Sequence, residues 1–197
     1  MTVSWTPHRF SGGLLALDTA NTVVLRGDVE RSFDRFADPA EIARFAAAAS
    51  VFRADELGGR SLVVADAIAG KVIAIREATD RQFRRSVLDG ALAAADLSPF
   101  LAACSDALAG SAEAFGLDTP FGNGSGPLAF EAALAVSALS LMRPENLGRL
   151  RICPNCNWLF IDRSRNGSRL WCDMAVCGNR QKAKRHYRRR KQEADDA

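Results

Sequence analysis

Four of the chain's five cysteines fall within 25 residues, as Cys153-Pro154-Asn155-Cys156 and Cys172-Asp173-Met174-Ala175-Val176-Cys177, with 15 residues between the pairs. A two-residue and a four-residue spacer each allow a turn that brings two sulfurs to about 2.3 Å from one ion, so the pairs together close a tetrahedral four-sulfur site. Zinc is the expected ion. Iron–sulfur ligation stays open on the ligands alone but is less well served by this spacing. Four protein ligands leave no position for a metal-bound water, which points to a structural rather than a catalytic centre. Disulfides are the competing use of paired cysteines, and in an intracellular chain this arrangement favours metal. Cys104 stands alone in an apolar helical pattern and reads as a small buried side chain.

A nucleobase deaminase also carries Pro-Cys-x-x-Cys, but it needs His-x-Glu, and neither histidine of this chain, His8 or His186, is followed by Glu two residues on. No nucleophile with a matching base is evident elsewhere. The expectation is a binding protein and not an enzyme.

The net charge of +3 is unevenly divided. Residues 143–192 hold 14 Lys/Arg against 3 Asp/Glu, residues 1–142 hold 12 against 17, and Glu193, Asp195 and Asp196 close the chain. A strongly basic half beside a mildly acidic one is the mark of a separate polyanion-binding module, because phosphate neutralisation needs clustered cations. Arg180 to Lys191 carry eight cations in twelve residues. Arg163, Arg165 and Arg169 decorate the segment between the cysteine pairs. A few of these cations balance the negative zinc–thiolate centre, and a solvated basic tail is the plain alternative for the rest. The excess favours nucleic acid, with Arg163, Arg165, Arg169, Arg180, Lys182, Lys184, Arg185, His186, Arg188 and Arg189 as the candidate contacts. Ala183 and Tyr187, four apart, form a thin seam expected to pack on the zinc core. DNA is the expected partner, with RNA, or a protein docked on a zinc-stabilised interaction module, as the alternatives. Trp158, Phe160, Trp171 and Tyr187 discriminate: as exposed stacking platforms they would favour single strands, whereas burial is expected for at least Trp158 and Phe160.

The rest of the chain reads mostly helical. Asp38-Pro39-Ala40-Glu41 is a helix start, leading into Ile42, Phe45, Ala46 and Ala49 at helical spacing. A long amphipathic helix is expected from Ser61 to about Leu88, with Leu62, Ala65, Ile68 or Ala69, Val72, Ile75 and Thr79 on one face. Another opens at Asp96-Leu97-Ser98-Pro99 and runs through Leu101, Cys104 and Leu108. Gly122-Asn123-Gly124-Ser125-Gly126-Pro127 lacks the spacing of a phosphate loop and reads as a connector. Leu128 to Leu141 is apolar nearly all round and should be buried. The short segment Gly13–Asp18 is either strand or helix entry. The start of the chain shows no signal-like apolar run, and no stretch reaches the roughly 20 apolar residues of a membrane span, so a soluble cytoplasmic protein is expected.

Cys153-x-x-Cys156, Trp158-Leu159-Phe160, Asp162-x-Ser164-Arg165-Asn166, Trp171-Cys172, Met174-Ala175 and Cys177-Gly178-Asn179-Arg180, with Lys182-Ala183 and Arg185-His186-Tyr187, closely resemble the CGNR zinc finger family. Leu17-Asp18-x-x-Asn21-Thr22 resembles the Leu-Asp-Phe-x-Asn-Thr signature of the ABATE domain found before such fingers, with Thr19 in the aromatic or aliphatic position. The resemblance implies a stress-response transcription regulator, a DNA-binding finger attached to a sensing domain. Within the finger, Gly178 is expected to permit a tight turn, Asn179 to cap the next helix, and Arg180 to brace the thiolates or reach phosphate. Asp18, Asn21 and Thr22 are either polar anchors of a ligand pocket or a buried hydrogen-bond network that holds the first segment.

The expected fold is therefore mainly α (α+β): a multi-helix N-terminal domain with a short β element over residues 1–145, a small four-cysteine zinc finger with its basic helix over 148–192, and an acidic tail over 193–197. Expected partners are DNA, a small-molecule effector and a second copy of the chain as a homodimer, with no membrane.

Overall fold

The computed structural model describes residues 2–113, 115–116, 120–122 and 126–195; of the expected connector, residues 123–125 lie outside it, as do the side chains of Arg185 and of the acidic tail. The chain is mainly α, with seven α-helices and three two-stranded sheets among the described residues.

A 3-10 turn, Pro7–Phe10, precedes α1, Leu15–Ala20, which resolves the ambiguous first segment as helix. The short antiparallel pair β1, Val23–Val24, and β2, Phe33–Asp34, follows. Helix α2, Ala40–Phe52, begins where Asp38 Oδ1 accepts the Ala40 N–H, and it buries Ile42, Phe45, Ala46 and Ala49 as its spacing predicts. The helix expected from Ser61 starts later. Leu62–Val63 is instead β3, parallel to β4, Leu128–Ala129, and α3 runs Ala69–Asp89. A two-residue strand carries no period, so the apolar Leu62 was indistinguishable from a helix position. From Val72 onward α3 behaves as expected, burying Val72, Ile75 and Thr79 along with Phe83.

Helix α4, Ala94–Leu108, buries Phe100 and Cys104 and packs on α3. Helix α5, Phe130–Ser140, is buried on nearly every side and packs against α1, α3 and α4. The short α6, Pro144–Leu147, has Pro at its first position, where no backbone donor is lost. One hydrophobic core gathers α1 to α5, with Trp5, Phe10, Phe36, Phe45 and Phe130 as an aromatic cluster in which Phe10 stacks on Phe45 and the other contacts are tilted or edge-on.

The hairpin β5, Leu150–Ile152, and β6, Leu159–Ile161, ties the finger to this body. Alternate side chains of a strand point to opposite faces. Leu159 and Ile161 accordingly enter the helical core, while Trp158 and Phe160 enter a second, small core with Cys153, Cys172 and Cys177. Both faces of β6 are covered, which is why its sequence is apolar at every position. The helical region and the finger thus share a strand across the boundary expected near residue 148.

Candidate functional site

The four thiols lie within 4.8 Å of one another, three of them fully buried and Cys156 partly exposed. Cys156 and Cys172 Sγ are 3.5 Å apart and Cys172 and Cys177 Sγ 3.6 Å. The edge of a tetrahedron with bonds of about 2.3 Å is roughly 3.8 Å, so the pocket has the size of a zinc–tetrathiolate centre. Hydrogen bonds from Cys156 and Cys172 hold Cys153 far below the ordinary thiol range, while the same bonds push Cys156 and Cys172 above it. Metal ligation uses the thiolate form, and a divalent ion offsets the cost of holding sulfurs so close together as thiolates. Cys104, pushed up to about 12 by burial, takes no part.

The first knuckle turns through Asn157, in the left-handed region at φ 62°. The second is capped by Asp173, whose carboxylate accepts the Ala175 and Val176 N–H groups as the chain enters a π-helical turn, Met174–Gly178. Asp173, not Asn179, is the cap. Asn179 already lies in α7, Asn179–Asp195, and donates from its side chain to Ala175 O. Gly178 has an ordinary φ and makes room for its neighbours: a Cβ there would come within 3.1 Å of Met174 Cε and 3.4 Å of Trp171 Cδ1, a crowding that the exposed Met174 side chain would have to relieve. Asn155 Nδ2 donates to Cys177 Sγ at 3.3 Å, and Asn155 Oδ1 accepts from Gln181 Nε2 at 2.8 Å. These two residues, not Arg180, link the basic helix to a metal ligand, and an outer-shell amide of this kind orients the thiolate. A lone Asn inside a Cys-x-x-Cys loop gave no signal of this role.

Asp18, Asn21 and Thr22 form the buried network rather than a pocket wall. They are 1%, 2% and 1% exposed. Asn21 acts on β6 as a neighbouring strand would: its Nδ2 donates to Leu159 O at 2.8 Å and its Oδ1 accepts from Leu159 N at 2.9 Å. Gly12 O continues this edge by accepting from Ile161 N at 2.9 Å. Asp18 Oδ1 accepts from Gly12 N and Oδ2 from Arg53 Nε. A Cβ on Gly12 would sit 2.8 Å from Asp18 Oδ1, so only glycine permits this approach. Thr22 Oγ1 donates to Thr19 O and accepts from Arg76, which forms a two-point pair with Asp34. The open edge of the finger hairpin is thereby closed by the Asp18–Thr22 segment and the glycine before it.

Further ties lie nearer the metal. His8 stacks on Trp158 at 5.2 Å and its Nδ1 meets Asp173 Oδ2 at 2.8 Å. Asn157 Nδ2 donates to Arg26 O, and Arg84 of α3 reaches Asn157.

The cationic candidates divide by position. Arg165, Arg180, Lys182, Lys184, His186, Arg188 and Arg189 are exposed, and the side chain of Arg185 lies outside the described residues. Ala183 is exposed and Tyr187 is 70% exposed, so the expected seam does not pack on the zinc core; α7 is held at its first turn and packs on the π-helical turn instead. Arg169 turns inward, donating to the carbonyls of Trp171 and Cys172 with its guanidinium 5.4 Å from the Phe160 ring centre. Arg163 Nη2 donates to Gly13 O at 2.9 Å. Trp158 and Phe160 are buried as expected, at 4% and 0% exposure.

Between α2, α6 and the finger lies a cleft of about 710 Å³, which none of Asp18, Asn21 and Thr22 lines. Glu56, on its wall, turns its carboxylate inward to accept from Leu15 N at 2.8 Å and Ser137 Oγ at 2.6 Å. Burial pushes Glu56 up to about 7 and Asp18 up to about 6, with Arg53 opposing the shift in both. The folded chain therefore holds protons that the unfolded chain releases near pH 4. This contribution to stability is complete below that pH and is lost as pH rises through about 6 to 7. Glu56→Gln, in zinc-loaded protein, is expected to remove a loss on the order of 2–3 kcal/mol between about pH 5 and 8. Urea unfolding of both proteins across this range checks it. A wild-type to variant difference that stays constant with pH would refute the assignment.

Fold and site together define a zinc-finger protein: a helical body that carries a four-cysteine metal centre on a shared strand. Residues 149–190 match the CGNR zinc finger family, and the match covers both cysteine pairs and most of the basic helix. No curated protein matches the chain. No helix among the described residues is long and apolar enough to cross a membrane.

Proposed function

We propose that the chain is a DNA-binding transcription regulator of the stress-responsive kind, in which zinc holds a basic helix out from a ligand-sensing helical body. The observation that carries this reading is the placement of α7: its first turn is fixed to the metal knuckle through Gln181 and Asn155, and beyond it Lys182, Lys184, His186 and Arg188 stand exposed. A helix of this form can enter the major groove and neutralise backbone phosphates. Arg165, on the loop between the cysteine pairs, extends the surface, whereas Arg169 is bound within the protein and Arg163, though exposed, is tied to Gly13 O. A closed metal centre supports binding rather than catalysis, and reduced paired thiols suit the cytoplasm.

Burial of Trp158 and Phe160 removes two of the four candidate stacking platforms and Trp171 is half-buried, which favours duplex over single-stranded RNA, while Tyr187, 70% exposed on the basic helix, is the one platform of the four that a single strand could use. Zinc-loaded protein titrated with duplex DNA, duplex RNA and single-stranded RNA across a salt series is expected to prefer duplex DNA, with affinity falling steeply as salt rises. Arg180→Ala with Lys184→Ala should reduce the slope of log K against log salt by about 2. Salt-insensitive affinity, or binding that both substitutions leave intact, would make the finger a protein-docking element.

A further inference from the structure

We infer that the cleft between α2, α6 and the finger binds a small organic anion with an apolar body, held by Arg53, Arg143 and Arg163 over a floor of Phe10, Leu14 and Phe52. This places the effector of the proposed sensing role and rests on that reading only for its consequence, not for the site. The volume of about 710 Å³ is that of a small-molecule site, on a scale of roughly 300–1,000 Å³. Its floor is apolar and largely buried, with Phe10 at 6% and Leu14 at 7% exposure. A nucleic-acid backbone is wide and polar throughout and makes poor use of such a floor, whereas an amphiphilic anion fills it.

The charge of the walls selects the anion. Among the described residues, four arginines, Arg53, Arg143, Arg163 and Arg169, line the cleft against two acids, Asp55 and Glu56, while Asp18 pairs with Arg53 from behind the wall. Glu56 is turned away onto Leu15 N and Ser137 Oγ, leaving Asp55 as the exposed acid. Arg53 is preorganised: its side chain is 14% exposed and is held by Asp18 and by the Phe10 carbonyl. A guanidinium fixed before the ligand arrives loses little freedom on binding, and with Nε and Nη2 engaged by Asp18 and Phe10 O it is Nη1 that is left to donate to a carboxylate, sulfonate or phosphate.

The cleft is also placed to report to the finger. Arg163 and Ile161 belong to β6 and the loop after it, and Arg169 holds the carbonyls of Trp171 and Cys172 beside the second cysteine pair. An anion that engages these residues acts directly on the segment that carries the metal ligands.

The test uses zinc-loaded full-length protein and the fluorescent anion 1-anilinonaphthalene-8-sulfonate. Saturable one-to-one binding is expected, displaced by octanoate and not by octanol, which has the same apolar body without the charge. Inorganic phosphate should displace it weakly. Arg163→Gln and Arg143→Gln should each weaken binding about tenfold, with zinc content and melting temperature as folding controls. Equal displacement by octanoate and octanol, or full affinity in both variants, overturns the site. Displacement by duplex DNA but not by octanoate assigns the cleft to the nucleic-acid surface and also overturns it. If octanoate binds but leaves duplex affinity unchanged, the site stands and the sensing role falls; if no anion binds, the site falls and the nucleic-acid reading stands on its own salt series.

Discussion

Stripping zinc from the folded chain, or replacing Cys172 by Ser, will destabilise the helical body as well as the finger. Strand β6 is common to both cores, with Leu159 and Ile161 on one side and Trp158 and Phe160 on the other. Without the metal, the fully buried Cys153, Cys172 and Cys177 lose the ion that offsets the cost of holding them together as thiolates, and the small core around Trp158 and Phe160 has little else to hold it. The hairpin's inner face then loses its support. A loss of at least about 3 kcal/mol is expected, or roughly 6–12 °C in melting temperature for a chain of this size. Calorimetry with and without a chelator checks it. A single transition that moves down as a whole is the expected record. A separate low-temperature finger transition, with the main transition unmoved, would show that the two regions are energetically independent.

The second large effect is expected at Asn21. Its side-chain amide satisfies both Leu159 N–H and Leu159 C=O, and Ala at this position leaves both buried backbone groups without partners. An orphaned buried polar group costs about 1–3 kcal/mol, so Asn21→Ala should lose about 2–5 kcal/mol. Asn21→Asp keeps the acceptor for Leu159 N but sets a carboxylate against Leu159 O, and it should be no better than Ala. Urea unfolding gives the magnitude. Hydrogen exchange gives the location, because the Leu159 amide should lose protection before amides in α3. Stability within about 0.5 kcal/mol of wild type with unchanged exchange at Leu159 would remove Asn21 as the clamp.

Zinc loss and Asn21→Ala act on the same strand from opposite sides, so their effects should be less than additive. Once the metal is gone, the hairpin edge that Asn21 holds is already loosened. Asn21→Ala should therefore also weaken zinc retention in a chelator competition, although the residue lies outside the metal's ligand set. A purely local polar contact would leave chelator competition unchanged.

Much of this protein was legible in its order of residues because the relevant physics is local. Two cysteine pairs on short turns define a four-sulfur centre whatever surrounds them, Asp38-Pro39-Ala40-Glu41 starts a helix through its own dihedrals and cap, and the run after Leu128 is too apolar to lie anywhere but inside. The density of cations after Arg180 likewise marked the exposed helix. Errors came where a local rule had two outcomes. Leu62 suits a helix face or a two-residue strand, and Ala183 with Tyr187 suits a packed seam or a bare surface. Arg169 suits a phosphate contact or, as found, a brace on the carbonyls of Trp171 and Cys172.

The metal ligands, the principal helices and the basic surface thus follow from residue order without reference to anything distant. What Asn21 does emerges only on packing, because its partner Leu159 lies 138 residues away and no spacing rule relates an amide to a strand edge at that distance. Packing likewise sets Asn155 and Gln181 as the tie from the basic helix to Cys177, and brings Arg53 and Arg163 to line one cleft. The reason is common to all three: a polar side chain's role is set by which partner the packed core brings within hydrogen-bond reach, and that choice is made only when distant segments meet.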